Sequence, residues 1–405
     1  MNFLSDAWCA NGTSYEDLIE QIKYMDGHTT VYKTCRSDIG LLSVDKEAMK
    51  GDGIIPLLLH KGEERQLPSR TSYSMTKALE NGHDECLFDE MIRSSGSMLS
   101  LRERYCLYLS RNAFRDIGAR CSVGGDSIYI PSITRDAYLT YLLQQDKDKC
   151  VNLVIKNCGN AKKVFAMPSA GYQYIQQKTL LDIIELLSKE LGKVECVSWY
   201  IDHNITRIFI EFPDKAEDIA KTYKREDLPV PGMMLETSDT GDSGVICTAT
   251  WRCKSHRPTL GEYYARKHTG SITAADIIDA AEDTVFKSYT KLPERLCELA
   301  LMEVGNPGAV IDKVVNTMMK KCLGKKRAVA LADALKMEVY PEASYTAFDI
   351  AMMFMDGLIE RCTFKGGASD PSIENLQKAC YQVPFAKFEN WLDLEGEETV
   401  VLLPA

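Results

Sequence analysis

The sequence predicts an α+β fold: an antiparallel sheet with packed helices in the middle, and a largely helical C-terminal third. Three observations predict it. Short apolar runs separated by turn residues fill the stretch from 151 to 251. One run at helical spacing, Leu180, Ile184, Leu187 and Leu191, sits among them and stops at Gly192. After Thr273, apolar residues recur every three or four positions almost to the end. Helices laid against an antiparallel sheet are the natural way for that order to bury its apolar faces.

The order divides the 405 residues into a loop-rich α/β region at 1–150, a sheet core at 151–271 and a helical region at 272–405. In the first region Gly51-Asp52-Gly53, Pro68 and Asn81-Gly82 are turn signals. Leu101, Tyr105, Tyr108 and Leu109 share one side of a predicted helix from Leu99 to Ile117 that Gly118 closes, and Arg135 to Gln144 reads as another. In the core, Val151–Ile155 and Lys163–Met167 read as strands around Gly159-Asn160, followed by a helix from Lys178 to Leu191. Glu195–Ile201 and Ile205–Phe212 pair across Asp202-His203-Asn204, with Pro213 ending the second. Met233–Thr237 pairs with Val245–Trp251 across Asp239-Thr240-Gly241-Asp242. Beyond them Thr273 and Asp276 form a capping box for the next helix. Further helices fit Pro293–Val304, Val310–Cys322, Ala328–Lys336, Tyr345–Arg361 and Ser372–Ala379.

Composition narrows the function. Apolar residues make up 45% and charged residues 26%, enough to fill a core. No apolar run is long enough to span a membrane, and Met1 to Ala10 lacks the basic start of a secretory signal. A cytoplasmic protein is therefore expected. The 14 cysteines are scattered without a Cys-x-x-Cys pair and read as small hydrophobes in a reducing compartment. A net charge of −10 argues against indiscriminate coating of nucleic acid, yet the charge is uneven. Between 251 and 268, Arg252, Lys254, Arg257, Arg266 and Lys267 face only Glu262. Between 313 and 336, Lys313, Lys320, Lys321, Lys325, Lys326, Arg327 and Lys336 face only Asp333.

The motifs of the middle and C-terminal thirds have a recognisable order. The strand Val164–Met167 precedes a turn with Tyr174 and the Leu180 helix. The Asp239–Gly244 turn then leads through Cys247 and Cys253 to Lys267-His268-Thr269-Gly270-Ser271 and a long helix, with the Tyr345–Asp356 helix near the end. This order resembles the phage/plasmid-like protein family, also called the domain of unknown function 932 family. Its members usually carry a basic residue before His-Thr, commonly arginine where this chain has Lys267, and an aspartate-glycine turn upstream. The Arg111–Arg120 helix and the Asn152–Phe165 hairpin also fit. The family's cysteine-asparagine pair after the turn is not evident. The resemblance implies an origin on a phage, plasmid or integrative element in a bacterial host, and it transfers no catalytic residue.

Spacing limits the site chemistry. Gly159-Asn160-Ala161-Lys162-Lys163 and Gly324-Lys325-Lys326-Arg327 lack the spaced glycines of a phosphate-binding loop. Cys247, Cys253, His256 and His268 contain zinc-binding atoms but no closed-site spacing, so no metal and no cofactor is expected. Asp239 and Asp242 suit a cation or, more simply, a hairpin turn. The segment Trp251, Arg252, Lys254, Arg257, Tyr263, Tyr264, Arg266, Lys267, His268 and Thr269 interleaves cations with aromatic rings, the combination that holds phosphates and stacks bases. The same pattern also fits a half-buried strand whose tyrosines fill the core. The leading expectation is a non-enzymatic, nucleic-acid-associated accessory protein in replication or recombination, with single-stranded nucleic acid as partner. The alternatives are an inhibitor of a host enzyme or defence system, acting on a host or phage protein, and a metal-dependent hydrolase.

Overall fold

The computed structural model describes residues 2–44, 56–58, 64–66, 84–102, 105–146, 148–159, 161–241, 244–253, 258–268, 273–356 and 372–394. The fold is α+β. Its strands are β1 (Cys9–Gly12), β2 (Thr29–Cys35), β3 (Ile39–Val44), β4 (Pro56–Leu58), β5 (Glu64–Gln66), β6 (Ser97–Leu101) and β7 (Tyr105–Leu109), followed by β8 (Cys150–Cys158), β9 (Ala161–Ala166), β10 (Glu195–Asp202), β11 (Thr206–Glu211), β12 (Val230–Thr237), β13 (Val245–Arg252) and β14 (Pro258–Arg266). The first helices are α1 (Tyr15–His28), α2 (Asp84–Ser94), α3 (Arg111–Arg120), α4 (Ile133–Gln145), α5 (Lys178–Leu191) and α6 (Pro213–Tyr223). The C-terminal ones are α7 (Ala274–Ala281), α8 (Lys287–Leu299), α9 (Pro307–Val314), α10 (Lys320–Leu323), α11 (Lys325–Lys336), α12 (Ala347–Met355) and α13 (Ser372–Gln382).

Two large sheets organise these elements, and a small two-stranded ribbon pairs Glu303–Val304 with Tyr345–Thr346, at segments expected to be helical. A six-stranded antiparallel sheet runs β1-β10-β11-β12-β13-β14, and an eight-stranded sheet runs β2-β8-β9-β7-β6-β3-β4-β5 with β7 parallel to β9. Residues before 150 therefore enter both sheets: β1 pairs with β10 and β2 pairs with β8 across that sequence boundary. The larger apolar core lies on the inner face of the six-stranded sheet, where Ile208, Leu235, Cys247 and Trp251 meet α5 and helices α7 to α12. A second core packs α3 and α4 on the eight-stranded sheet around Phe114, Leu139 and Leu153.

The predicted hairpins at β8–β9, β10–β11 and β12–β13 are present, and α5 spans Lys178–Leu191 with Gly192 (φ 87°) at its end. The helix expected from Leu99 to Ile117 is instead the hairpin β6–β7 followed by α3. Leu99 and Leu107 are cross-strand partners, and every residue of β6 is buried. A strand buried on both faces reads as a continuous apolar run, which spacing alone cannot separate from a buried helix. Arg102 takes a left-handed φ of 50° just after β6 and donates its backbone N–H to Asp38 and its guanidinium to the Asp38 carboxylate. Gly118 does not cap α3, which runs on to Arg120. A Cβ there would lie 2.4 Å from Ile128 Cδ1, so this glycine admits the Ile128 side chain.

Three helices were not anticipated, α1, α2 and α6. In α1, Ser14 accepts the N–H of Asp17 and Leu18, Ile22 and Met25 face the core. Pro213 ends β11 but also opens α6. In the C-terminal region Pro293 lies inside α8 rather than starting a helix. Thr273 and Thr346 each close a capping box, with Asp276 and Asp349. Gly51-Asp52-Gly53, Pro68, Asn81-Gly82 and the end of the helix expected to reach Arg361 lie outside the described residues.

Candidate functional site

The basic-aromatic segment folds as the end of β13 and the whole of β14, the outermost strand of the six-stranded sheet. Its residues do not share one surface. Trp251 is fully buried, with its ring edge-on to Tyr289 at 5.6 Å, so it offers no face to a base. Tyr264 packs against the same core, opposite Cys247 in register. His268 is buried as well: its ring stacks on Tyr172 at 5.2 Å, and its nitrogens meet the Gln173 carbonyl at 3.2 Å and the Thr237 hydroxyl at 3.4 Å. Burial lowers its pKa. Arg252 donates to Glu211 at 2.6 Å. Tyr263 is 56% exposed, with Lys378 Nζ 5.4 Å from its ring centroid, and Arg266 and Lys267 are exposed. Lys254, Arg257 and Thr269 lie outside the described residues.

Tyr263 belongs to a larger surface that no single segment reveals. Register aligns Ser198, Phe209, Met234, Thr248 and Tyr263 in one row across β10 to β14. The next row contains Tyr200, Arg207, Glu236, Ile246 and Ala265. Side chains alternate across a strand, so both rows point away from the face that carries Ile208, Leu235 and Cys247. Phe209, Met234 and Ile246 belong to neither apolar core. Tyr200 is 39% exposed, and its hydroxyl donates to Asp202. Arg207 donates through Nε and Nη2 to one oxygen of Glu236, at 2.9 and 2.7 Å. This outward face thus carries three aromatic rings and two arginines, each arginine paired to a glutamate.

Behind the sheet lies a second concentration of polar groups, where the two sheets meet. Lys156 of β8 and Lys163 of β9 are cross-strand partners and both are buried. Lys156 Nζ lies 3.0 Å from Asp239 Oδ2, in the turn after β12. Lys163 Nζ reaches Glu90 at 2.6 Å, Asp6 at 2.8 Å and the Leu4 carbonyl at 2.9 Å. Both ammonium groups flank the Phe165 ring, at 5.4 and 5.3 Å from its centroid. Burial pushes the Glu90 pKa up, but hydrogen bonds from Lys163, Ser5 and the Asp6 N–H outweigh it and the net shift is downward. Asp26 caps α5 from a distance, accepting the N–H groups of Gln177 and Lys178 and the Tyr174 hydroxyl. Burial still raises the Asp26 pKa, and the nearby Asp239 adds to it.

His203, in the β10–β11 turn, is 1% exposed and packs 3.9 Å from Phe165, between Phe3 and Trp8. Its nitrogens face the backbone of Phe3 and Ser5 without a well-formed hydrogen bond. Burial, with Lys156 close by, drives its pKa down to about 2. Such a ring stays neutral in the folded chain. It contributes packing here rather than charge.

The structure places the zinc-type residues apart in chemistry. Cys247 is fully buried, and burial pushes its thiol up to about 12, where a thiolate ligand is disfavoured. His256 and Asp242 lie outside the described residues. Asp239 already holds an ammonium group. Among the described residues no cluster of three or more His, Cys, Asp or Glu side chains is arranged to hold a metal ion. A groove of about 410 Å³ between α1 and α5 is lined by Tyr15, Ile19, Leu181 and Val194, with the carboxylates of Asp182 and Glu185, a lining that repels a phosphate. Among the described residues no helix is long and apolar enough to cross a membrane.

Sequence reasoning missed Tyr200, Arg207 and Phe209, although Arg207-Ile208-Phe209-Ile210-Glu211 alternates as a half-exposed strand must. It also missed Lys156 and Lys163, whose only signal is a lysine next to the apolar residues of a strand, Val154-Ile155 and Val164-Phe165. No model of a known protein family, no curated protein and no solved structure matches the chain.

Proposed function

We propose that the chain is a nucleic-acid-associated accessory protein of a phage or plasmid, and that it takes single-stranded nucleic acid on the outward face of the six-stranded sheet. The row that joins Phe209 to Tyr263, with Tyr200 beside it, supports this reading. Tyr200 and Phe209 sit on adjacent strands and Tyr263 on the edge strand three strands beyond, and aromatic rings on a sheet face are a surface on which unpaired bases stack. Lys267 follows directly on β14, four positions after Tyr263 and roughly 13 Å further along, so a base and a phosphate further along the same strand of nucleic acid can be met together. The arginines are partly neutralised by Glu236 and Glu211, so stacking rather than charge dominates and the salt dependence is modest. The mobile-element origin rests on the short motifs around Asp239 and Lys267.

The test is a titration of labelled single-stranded oligonucleotide across a salt series. Tyr263→Ala and Phe209→Ala are each expected to weaken binding by about 1–3 kcal/mol. No binding by the wild-type chain at low salt overturns the proposal. The half-buried Phe209 and Ile246 beside the Arg207–Glu236 pair favour a second reading, a docking surface for a protein partner of the host or phage. That reading takes over if the oligonucleotide fails.

A further inference from the structure

We infer that Cys35 and Cys150 form a redox-responsive dithiol, which closes to a disulfide under oxidising conditions and fastens strand β2 to the rest of the eight-stranded sheet. The two thiols are in contact, Sγ to Sγ 3.8 Å, and both are partly exposed. They face each other in register as the last residue of β2 and the first of β8. The backbone pattern fixes which kind of pair this is. The Arg36 N–H donates to the Lys149 carbonyl at 3.0 Å, so the next pair outward is hydrogen-bonded and Cys35–Cys150 is the non-hydrogen-bonded kind. In that kind the α-carbons approach to about 4.5 Å and the side chains lie closest. A disulfide spans α-carbons about 4.4–6.8 Å apart, so the bond forms by side-chain rotation with the strands in place.

The chemistry needs an oxidant, and a low-molecular-weight disulfide such as oxidised glutathione supplies it. One cysteine thiolate attacks a sulfur of that disulfide, its S–S bond breaks, and the first small thiol leaves. The neighbouring cysteine thiolate then attacks the mixed disulfide and expels the second small thiol. Two protein thiols and one small disulfide become one protein disulfide and two small thiols. Reducing thiols reverse the exchange, which suits a chain whose described cysteines are all free.

Consequences follow from where the bond sits. β2 is the outermost strand on its side of the sheet, bonded to β8 alone. It follows directly on α1, whose Asp26 caps α5. The 115-residue separation of the two cysteines encloses β3 to β7 and α2 to α4, so the closed form restrains that whole layer in the unfolded chain.

The experiment treats the purified full chain with oxidised glutathione, blocks remaining thiols with an alkylating agent, and maps the peptides by mass spectrometry before and after dithiothreitol. The expected product is the Cys35 peptide joined to the Cys150 peptide, with a thermal midpoint raised by a few degrees and restored by dithiothreitol. Cys35→Ser and Cys150→Ser each abolish both the joined peptide and the rise, whereas Cys9→Ser keeps both. Two alkylated thiols at positions 35 and 150 after treatment, a bond of either to another cysteine, or a midpoint rise that survives in Cys35→Ser overturns the inference.

Discussion

The outward face of the six-stranded sheet and the junction between the two sheets both concentrate charge, but they treat it oppositely. On the face, Arg207 keeps 44% of its side chain in solvent while bonding Glu236. At the junction, Lys156 and Asp239 are 0% and 1% exposed. Water still reaches Arg207, so this pair is worth less than a fully buried one, but Glu236 is only 9% exposed and is left without its cation when Arg207 turns to a phosphate. A pair removed from water is held by the lack of any alternative, and deleting one member strands the other. On the proposed reading the face meets a partner, while the junction ties residues of the two sheets together.

The contrast is sharpest in stability. Lys156→Ala leaves Asp239 buried without its ammonium and close enough to Asp26 to raise that group's pKa. The expected loss is about 3–5 kcal/mol, read by urea unfolding. Replacing both partners, as Lys156→Met with Asp239→Asn, recovers much of it, because no lone charge remains. If Lys156→Ala unfolds at the wild-type denaturant concentration, the pair is not holding the junction and the comparison fails.

The junction also has an acid sensitivity. The folded pKa of His203, about 2, lies below the ordinary value of about 6.5 expected when the chain is unfolded. Protons therefore bind the unfolded chain first. The stability associated with neutral His203 is intact above about pH 6.5 and drains away as the pH falls towards 2. Between pH 7 and pH 4 the loss from this ring alone is on the order of 3 kcal/mol. The lowered pKa of Glu90 adds a loss of the same sign, so total acid sensitivity does not isolate the histidine. His203→Phe does: its stability should fall by about 3 kcal/mol less than wild type over that range. Equal slopes in the two chains would falsify the neutral-ring assignment.

How much of this was legible in the sequence follows the same division. The hairpins of the sheet core and α5 were readable because each shows alternation or a helical stripe bounded by glycine or proline. The run from Leu99 to Leu109 was not, since burial on both faces erases the alternation that marks a strand. The tyrosine pair was legible only as a pair. A strand must send Tyr263 and Tyr264 to opposite sides, but which side is solvent depends on where helices from another part of the chain dock. Lys156 and Lys163 were illegible for a further reason. A lysine next to the apolar residues of a strand reads as an edge residue until the carboxylates of Asp239, Glu90 and Asp6, far off in sequence, are brought to it.

That division of Tyr263 from Tyr264 sets the next effect. Tyr264→Ala removes a ring packed on the large core and should lower stability by about 1–3 kcal/mol with oligonucleotide affinity unchanged. Tyr263→Ala should do the reverse, leaving stability within about 0.5 kcal/mol and losing affinity. A stability loss at both positions would place Tyr263 in a covered site and remove the best-exposed ring from the proposed surface.

The smallest effect tests the exposed end of β14, where alternation puts Arg266 on the Tyr264 side of the sheet and Lys267 on the Tyr263 side. Arg266 and Lys267 are exposed at the end of β14, and Arg266 is one of the groups that lower the Asp276 pKa. The Asp276 pKa is lowered chiefly by the Thr273 backbone N–H and hydroxyl within the capping box, with Arg266 the last contributor, so the box survives without the arginine. Changing both cations to alanine should therefore leave unfolding within about 0.5 kcal/mol of wild type. Each phosphate that loses a cation partner no longer releases its condensed counterion, so the slope of log affinity against log salt should flatten by up to about 2. A variant with an unchanged slope but weaker binding at every salt concentration would mean that these cations do not touch phosphate. The nucleic acid would then have to be held by the aromatic row alone, or the face would belong to a protein partner.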